Sequence, residues 1–130
     1  MRVYLSGPIT NMPDHNRAAF DAAAKRLRDE SHFVINPHEL TEKFGTAEEV
    51  SKSFDALYCI ETFGNDFKTF HVPDRAPRLA RAVMDADLAA VRSCDAIYLL
   101  KGWENSRGAK KELHEAIMCG LEIMQEGAEG

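Results

Sequence analysis

Four short apolar segments, spaced by helical patterns, leave this chain little choice of architecture. Arg2 to Leu5, Phe33 to Ile35, Ala96 to Leu100 and Leu121 to Met124 read as buried strands. Between the first two, Asn16 to Glu30 carries Phe20, Ala23, Ala24 and Leu27 at helical spacing. Residues 78 to 93 carry a second such stripe, with Pro77 near its start, and a third helix begins near Arg107. Strands that alternate with helices build βαβ units, and these require a parallel sheet covered on both faces. The expected fold is therefore α/β, a flavodoxin- or Rossmann-like doubly wound parallel sheet of four to five strands in a single domain. Ligands in such sheets bind beyond the carboxyl ends of the strands, where the strand order reverses. Ser6-Gly7, Asn36-Pro37 and Lys101 to Gly108 all fall at such ends, so the fold predicts that they gather at one edge.

Two acidic residues interrupt apolar helical stripes. Ala80, Val83, Met84, Leu88 and Val91 share one face, with Asp87 at its centre. Ala109, Leu113, Ala116, Ile117 and Gly120 share another, with Glu112 on its margin. Such stripes turn toward the core, and carboxylates are rarely buried without a reason. Two of them, on helices flanking a glycine-containing loop, predict a lined cleft. A Glu one turn into a helix is stabilised as the anion by the helix dipole, which suits a nucleophile. A desolvated Asp87 suits holding a proton or orienting a hydroxyl. Glycosyl chemistry uses a pair of this kind.

Two loops are candidate anion sites. At Tyr4-Leu5-Ser6-Gly7-Pro8, the glycine permits close backbone approach, and free amides at such a turn suit an anion or a base edge. At Gly102-Trp103-Glu104-Asn105-Ser106-Arg107-Gly108, a helix opening after Ser106 would present unpaired amides to a phosphate. Ser106 serves there either as helix cap or as phosphate donor. Arg107, Lys110 and Lys111 add local positive charge. Trp103 either stacks on a nucleobase or covers the end of the sheet.

The remaining composition mostly excludes. A net charge of −5 argues against binding a nucleic-acid polymer. Three cysteines without a CxxC pair fit reduced thiols in a cytoplasmic protein. The chain enters a strand pattern at Arg2, leaving no room for a signal peptide, and no apolar run approaches the roughly 18 residues of a membrane span. The five histidines show no metal-ligand spacing and are expected to be surface or packing residues. No GxSxG elbow supports a serine nucleophile. Residues 41 to 75 break the strand–helix rhythm and hold six of the eleven aromatics, Phe44, Phe54, Tyr58, Phe63, Phe67 and Phe70. That much aromatic surface is expected to pack as a lid or against another subunit. A short helix over Ala47 to Tyr58 fits this stretch, and the Gly/Glu-rich tail after Met124 is expected to fray.

On the runs YLSGPIT, NRAAF, NPHEL and DLAAVRSCDAIYLLKGWENSRGAKKELHEA, the chain resembles the nucleoside 2-deoxyribosyltransferase-like superfamily. The likeness is strongest to its small phage and bacterial branch, related to the nucleoside 5′-monophosphate N-glycosidases. It covers roughly residues 1 to 40 and 78 to 124, with 41 to 75 inserted relative to the usual short connection. Gly108-Ala109-Lys110-Lys111-Glu112 matches the family's Gly-x-x-x-Glu, whose Glu is the nucleophile. Asp87 matches the acid that precedes the Cys94-Asp95 pair. The resemblance implies that Ser6, Gly7, Ser106 and Gly108 bind the 5′-phosphate or 5′-hydroxyl and that Tyr4 lines the sugar site. Asn105-Ser106-Arg107-Gly108 replaces the Asp-Ser-Gly-Thr run of the transferases, and its Arg107 favours a phosphorylated substrate. The implied activity is hydrolysis of the base–sugar bond of a nucleoside 5′-monophosphate through a glycosyl-Glu112 intermediate. Base exchange and non-catalytic nucleotide binding remain alternatives. No metal or organic cofactor is implied, and a homodimer or larger assembly is expected.

Overall fold

A computed structural model describes residues 1–64, 66–67 and 70–127. Strand β1 (Arg2–Ser6) leads through a 3₁₀ turn (Pro13–Asn16) into helix α1 (Arg17–Asp29) and strand β2 (Phe33–Ile35). Two helices follow, α2 (Pro37–Thr41) and α3 (Ala47–Phe63), and then a small antiparallel pair, β3 (Asp66–Phe67) and β4 (Phe70–His71). Helix α4 (Arg78–Arg92), strand β5 (Ala96–Leu99), a 3₁₀ turn (Trp103–Asn105), helix α5 (Arg107–Met118) and strand β6 (Glu122–Gln125) complete the chain. The main sheet has four strands in the order β2-β1-β5-β6, all parallel. Residues 128–130 of the expected tail, and the side chains of Phe67 and Phe70, lie outside the described residues. Among the described residues, no helix is long and apolar enough to cross a membrane.

Strand alternation sorts the core into two layers. Val3 and Leu5 point toward α1, where they pack with Phe20, Ala24, Leu27, Val34 and Tyr98. Tyr4 points the other way, into a layer with Val91, Cys94, Ile97, Leu99 and Ala116, contributed partly by α4 and α5. Strand β1 is buried on both faces, as a central parallel strand must be. The strand order reverses between β1 and β5, where parallel sheets place their ligands.

The stretch from 41 to 75 is more ordered than the sequence suggests. Thr46 and Glu49 form a reciprocal capping box that starts α3. The helix runs to Phe63, five residues beyond the expected Tyr58. It also supplies a cap to its neighbour. Pro77, at the N-cap of α4, makes no side-chain cap bond. The Ser53 hydroxyl instead accepts from Ala80 N at 2.8 Å and donates to Ala76 O at 2.7 Å. Two otherwise orphaned backbone groups are thereby satisfied across the α3–α4 contact.

Candidate active site: a carboxylate pair beneath the α3 helix

The three strand ends singled out in the sequence do converge. Gly7 from the end of β1, His38 and Thr41 from the segment after β2, and Ser106 and Gly108 after β5 line one cavity. Val50, Phe54 and Tyr58 of α3 form part of its wall, and Asp87 and Glu112 both face it. The cavity is a small, partly open hollow, about 700 Å³ only when the solvent at its opening is counted in.

Glu112 is held from below. The Tyr4 hydroxyl donates to its Oε2 and the Ser6 hydroxyl to its Oε1, each at 2.6 Å. Both donors have no solvent exposure at all. They share a face because residues two apart on a strand do so, and α5 lies across that face. Each carboxylate oxygen retains lone-pair capacity beyond its one bond. Tyr4 and Ser6 therefore position the carboxylate; neither lines the cavity, and the expected contact of Ser6 with a phosphate and of Tyr4 with a sugar is replaced by this support.

Asp87 is held differently. Its Oδ1 is buried and has no hydrogen-bond partner among the described residues. Burial and the facing Glu112 carboxylate push its pKa up to about 8, with the Tyr4 hydroxyl offsetting a part. Burial raises Glu112 as well, to about 7, against the lowering effect of the Ser6 and Tyr4 donors. Two such groups titrate as a pair. The first proton belongs on Asp87, since two short hydrogen bonds stabilise the Glu112 anion and none is recorded for Asp87 Oδ1. A neutral acid and an anionic base thus face one cavity near neutral pH.

The start of α5 supplies part of the cavity wall. Ser106 is the N-cap, its hydroxyl oxygen accepting from Ala109 N at 3.1 Å, and it still lines the cavity. Capping occupies the oxygen as acceptor and leaves its O–H proton available to a ligand. A Cβ added at Gly108 would approach nothing closer than 4.0 Å, and its neighbours there are Ser106 Oγ and Tyr58 Oη. Open space beside a helix N-terminus suits an anion. Gly7 is glycine for another reason: its Cβ would lie 2.8 Å from Leu100 Cβ, so the tight chain crossing leaves no room for a side chain.

Two expected ligand contacts lie elsewhere. Trp103 packs against the α4/α5 core layer and does not line the cavity, so it covers the sheet end. The Arg107 guanidinium lies 5.0 Å over the Tyr58 ring and 3.9 Å from Glu61, which Lys111 also meets at 3.1 Å. Arg107 is tied to α3 and is not among the residues that line the cavity.

The wall includes residues that the sequence reading passed over. His15 and His38 line the cavity, although the histidines lacked metal-ligand spacing. His38 follows Asn36-Pro37 directly, at a strand end already marked as converging, and that position was the available signal. Among the described residues, no group of three or more His, Cys, Asp or Glu side chains is arranged to hold a metal ion.

The chain belongs to the family described as a domain of unknown function, DUF4406, which matches residues 1–63 and 68–125. The match runs through α3, so the helix that walls the cavity is part of the family's common frame. No curated protein and no solved structure matches the chain.

Proposed function

We propose that this protein is an N-glycosidase that hydrolyses the base–sugar bond of a nucleoside 5′-monophosphate. The observation that carries this reading is the unequal carboxylate pair: Glu112 braced by two buried hydroxyls, and Asp87 with a buried oxygen that has no partner among the described residues, in one cavity. The resemblance of Gly108 to Glu112 to the Gly-x-x-x-Glu of the deoxyribosyltransferase-like superfamily supports it independently.

In the first step a Glu112 oxygen attacks C1′ and forms a C1′–O ester bond. The C1′–N bond breaks, its electron pair stays on the base, and Asp87 delivers the proton that neutralises it. In the second step water attacks C1′, the ester bond breaks, and the Asp87 carboxylate accepts the water's proton. The products are the free base and a sugar 5-phosphate, and both carboxyl groups return to their starting states. The 5′-phosphate is assigned to the start of α5, where Ser106 and the open space at Gly108 receive it.

A chromatographic screen of ribo- and deoxyribonucleoside monophosphates for released base tests the reading. Wild type releases base from at least one of them, and Glu112→Gln slows release by about 1,000-fold or more. A foreign base added to the same incubation distinguishes exchange from hydrolysis, since exchange yields a new nucleotide. Release that persists in Glu112→Ala removes the nucleophile and the proposal with it.

A further inference from the structure

Helix α3 presents one face to the cavity along most of its length: Ala47, Val50, Ser51, Phe54 and Tyr58 follow one another at helical spacing. The last of them reaches the start of α5. Tyr58 Oη and Ser106 Oγ each stand 4.0 Å from the point that a Cβ on Gly108 would occupy. Among the described residues, nothing else outside the local backbone comes as near. The two oxygens are therefore at most twice that distance apart, one carried by α3 and the other by α5. A phosphate group, with oxygens about 2.5 Å apart and O–H···O bonds of about 2.7 Å, bridges donors separated by up to about 8 Å.

The Tyr58 hydroxyl has no hydrogen-bond partner among the described residues. Burial raises its pKa, the Glu61 charge adds to that, and the Arg107 charge works the other way. The phenol keeps its proton near neutral pH and is available as a donor. Its ring is held from two sides of the sequence. Phe54, one turn earlier on α3, lies 5.7 Å away between centroids, and the Arg107 guanidinium lies 5.0 Å over the ring. Arg107 is in turn 3.9 Å from Glu61, and Lys111 meets the same carboxylate at 3.1 Å. Both cations are thus drawn to α3. Arg107 does not line the cavity, so its influence on a ligand passes through the ring it covers.

Resting on the hydrolase reading above, we propose that Tyr58 determines specificity at the 5′ end of the substrate: its hydroxyl donates to the 5′-phosphate from α3 while Ser106 donates from α5, and Arg107 is a positioning residue that acts through the Tyr58 ring. A phosphate offers separate acceptor oxygens to the two hydroxyls, whereas a 5′-hydroxyl offers a single oxygen to the pair. Tyr58 lies in the stretch from 41 to 75, outside the superfamily likeness, so that likeness gives it no role.

The test measures kcat/KM for a nucleoside monophosphate that wild type cleaves and for the matching nucleoside, in wild type, Tyr58→Phe, Arg107→Leu and the double variant. Tyr58→Phe removes one oxygen that has no partner in the fold. It is expected to lower the preference for the monophosphate by at least 10-fold, with the loss falling on KM more than on kcat. The advantage of ribose 5-phosphate over ribose as an inhibitor falls in step. Arg107→Leu lowers the same preference by about 3-fold or more, and the double variant is no worse than Tyr58→Phe alone, because Arg107 acts through the missing hydroxyl. Carbon-13 spectra of wild type give a readout that does not depend on a variant folding. With its three tyrosines labelled at Cζ, the protein shows a Tyr58 resonance, the one lost in Tyr58→Phe, that shifts with ribose 5-phosphate and not with ribose.

An unchanged preference in Tyr58→Phe with continued base release overturns the role of Tyr58 and leaves the hydrolase standing. A Tyr58 resonance indifferent to ribose 5-phosphate does the same. Losses that multiply in the double variant overturn the indirect role of Arg107 and put its charge on the phosphate itself. Absence of base release from every monophosphate overturns both readings together.

Discussion

Tyr4, Ser6 and Asp87 show how differently the same cavity treats its polar side chains. Tyr4 and Ser6 spend their hydroxyl protons on Glu112, so removing either leaves the carboxylate less stabilised as an anion. Tyr4→Phe is expected to raise the Glu112 pKa further, moving the acid limb of the pH–rate profile upward by about one unit. An unmoved limb would mean that Glu112 is not the base that must ionise. Asp87 makes the complementary case in stability. Its pKa is raised in the fold, so between about pH 4 and 8 the folded protein holds a proton that the unfolded chain has lost. Its contribution is therefore most favourable at low pH and falls as pH rises through that window. Asp87→Asn removes this part of the slope and leaves the smaller part due to Glu112, whose pKa is also raised. Denaturant unfolding is expected to show the variant gaining on wild type from pH 5 to pH 8.5, by on the order of 4 kcal/mol, while base release is lost. Parallel stability curves would show that Asp87 is not ionising at a cost. The identity of these residues was legible in the sequence, but their partners were not. Strand alternation tells that Tyr4 and Ser6 share a face; it does not tell which helix lies across it, because α5 joins that face only through the tertiary fold.

Elements with strong periodicity were legible from the sequence nearly to the residue: β1, α1, β2, α4, β5, α5 and β6 all lie where the apolar spacing puts them. What periodicity missed was short or capped from outside. Helix α2 has only five residues, opened by Asn36 as cap and Pro37 at its first position, too few for a stripe to register. The length of α3 was obscured because its apolar residues are divided between α4 on one side and the cavity on another. The link between those helices rests on Ser53, whose single hydroxyl serves Ala80 N and Ala76 O. Ser53→Ala strands both groups and is expected to cost about 1–2 kcal/mol in urea unfolding. A loss within 0.5 kcal/mol would show that α4 finds its cap elsewhere, and that α3 is held over the cavity by apolar contacts alone.

At the scale of the whole molecule, the site exists because three successive strand ends converge beneath a helix that the strand–helix alternation does not require. A parallel sheet already directs β1, β2 and β5 to one edge; α3 turns that edge into a walled cavity through Val50, Phe54 and Tyr58. Anything that fills such a cavity in the folded state alone stabilises the entire domain by mass action. Ribose 5-phosphate, the sugar product of the proposed reaction, is expected to add about 2.7 kcal/mol at 100 times its Kd, a rise in Tm of roughly 8 °C for a domain of this size. Gly108 makes the experiment specific. An alanine there meets no atom closer than 4.0 Å and replaces a poor helix former in the first turn of α5, so the unliganded variant should melt no lower than wild type. Its methyl group nevertheless occupies the space between Ser106 Oγ and Tyr58 Oη that the phosphate would need. Differential scanning calorimetry should therefore find an intact fold in Gly108→Ala and a ligand-induced shift reduced by more than half. An equal shift in both proteins would move the phosphate away from the start of α5 and reverse the direction in which a substrate lies across Glu112.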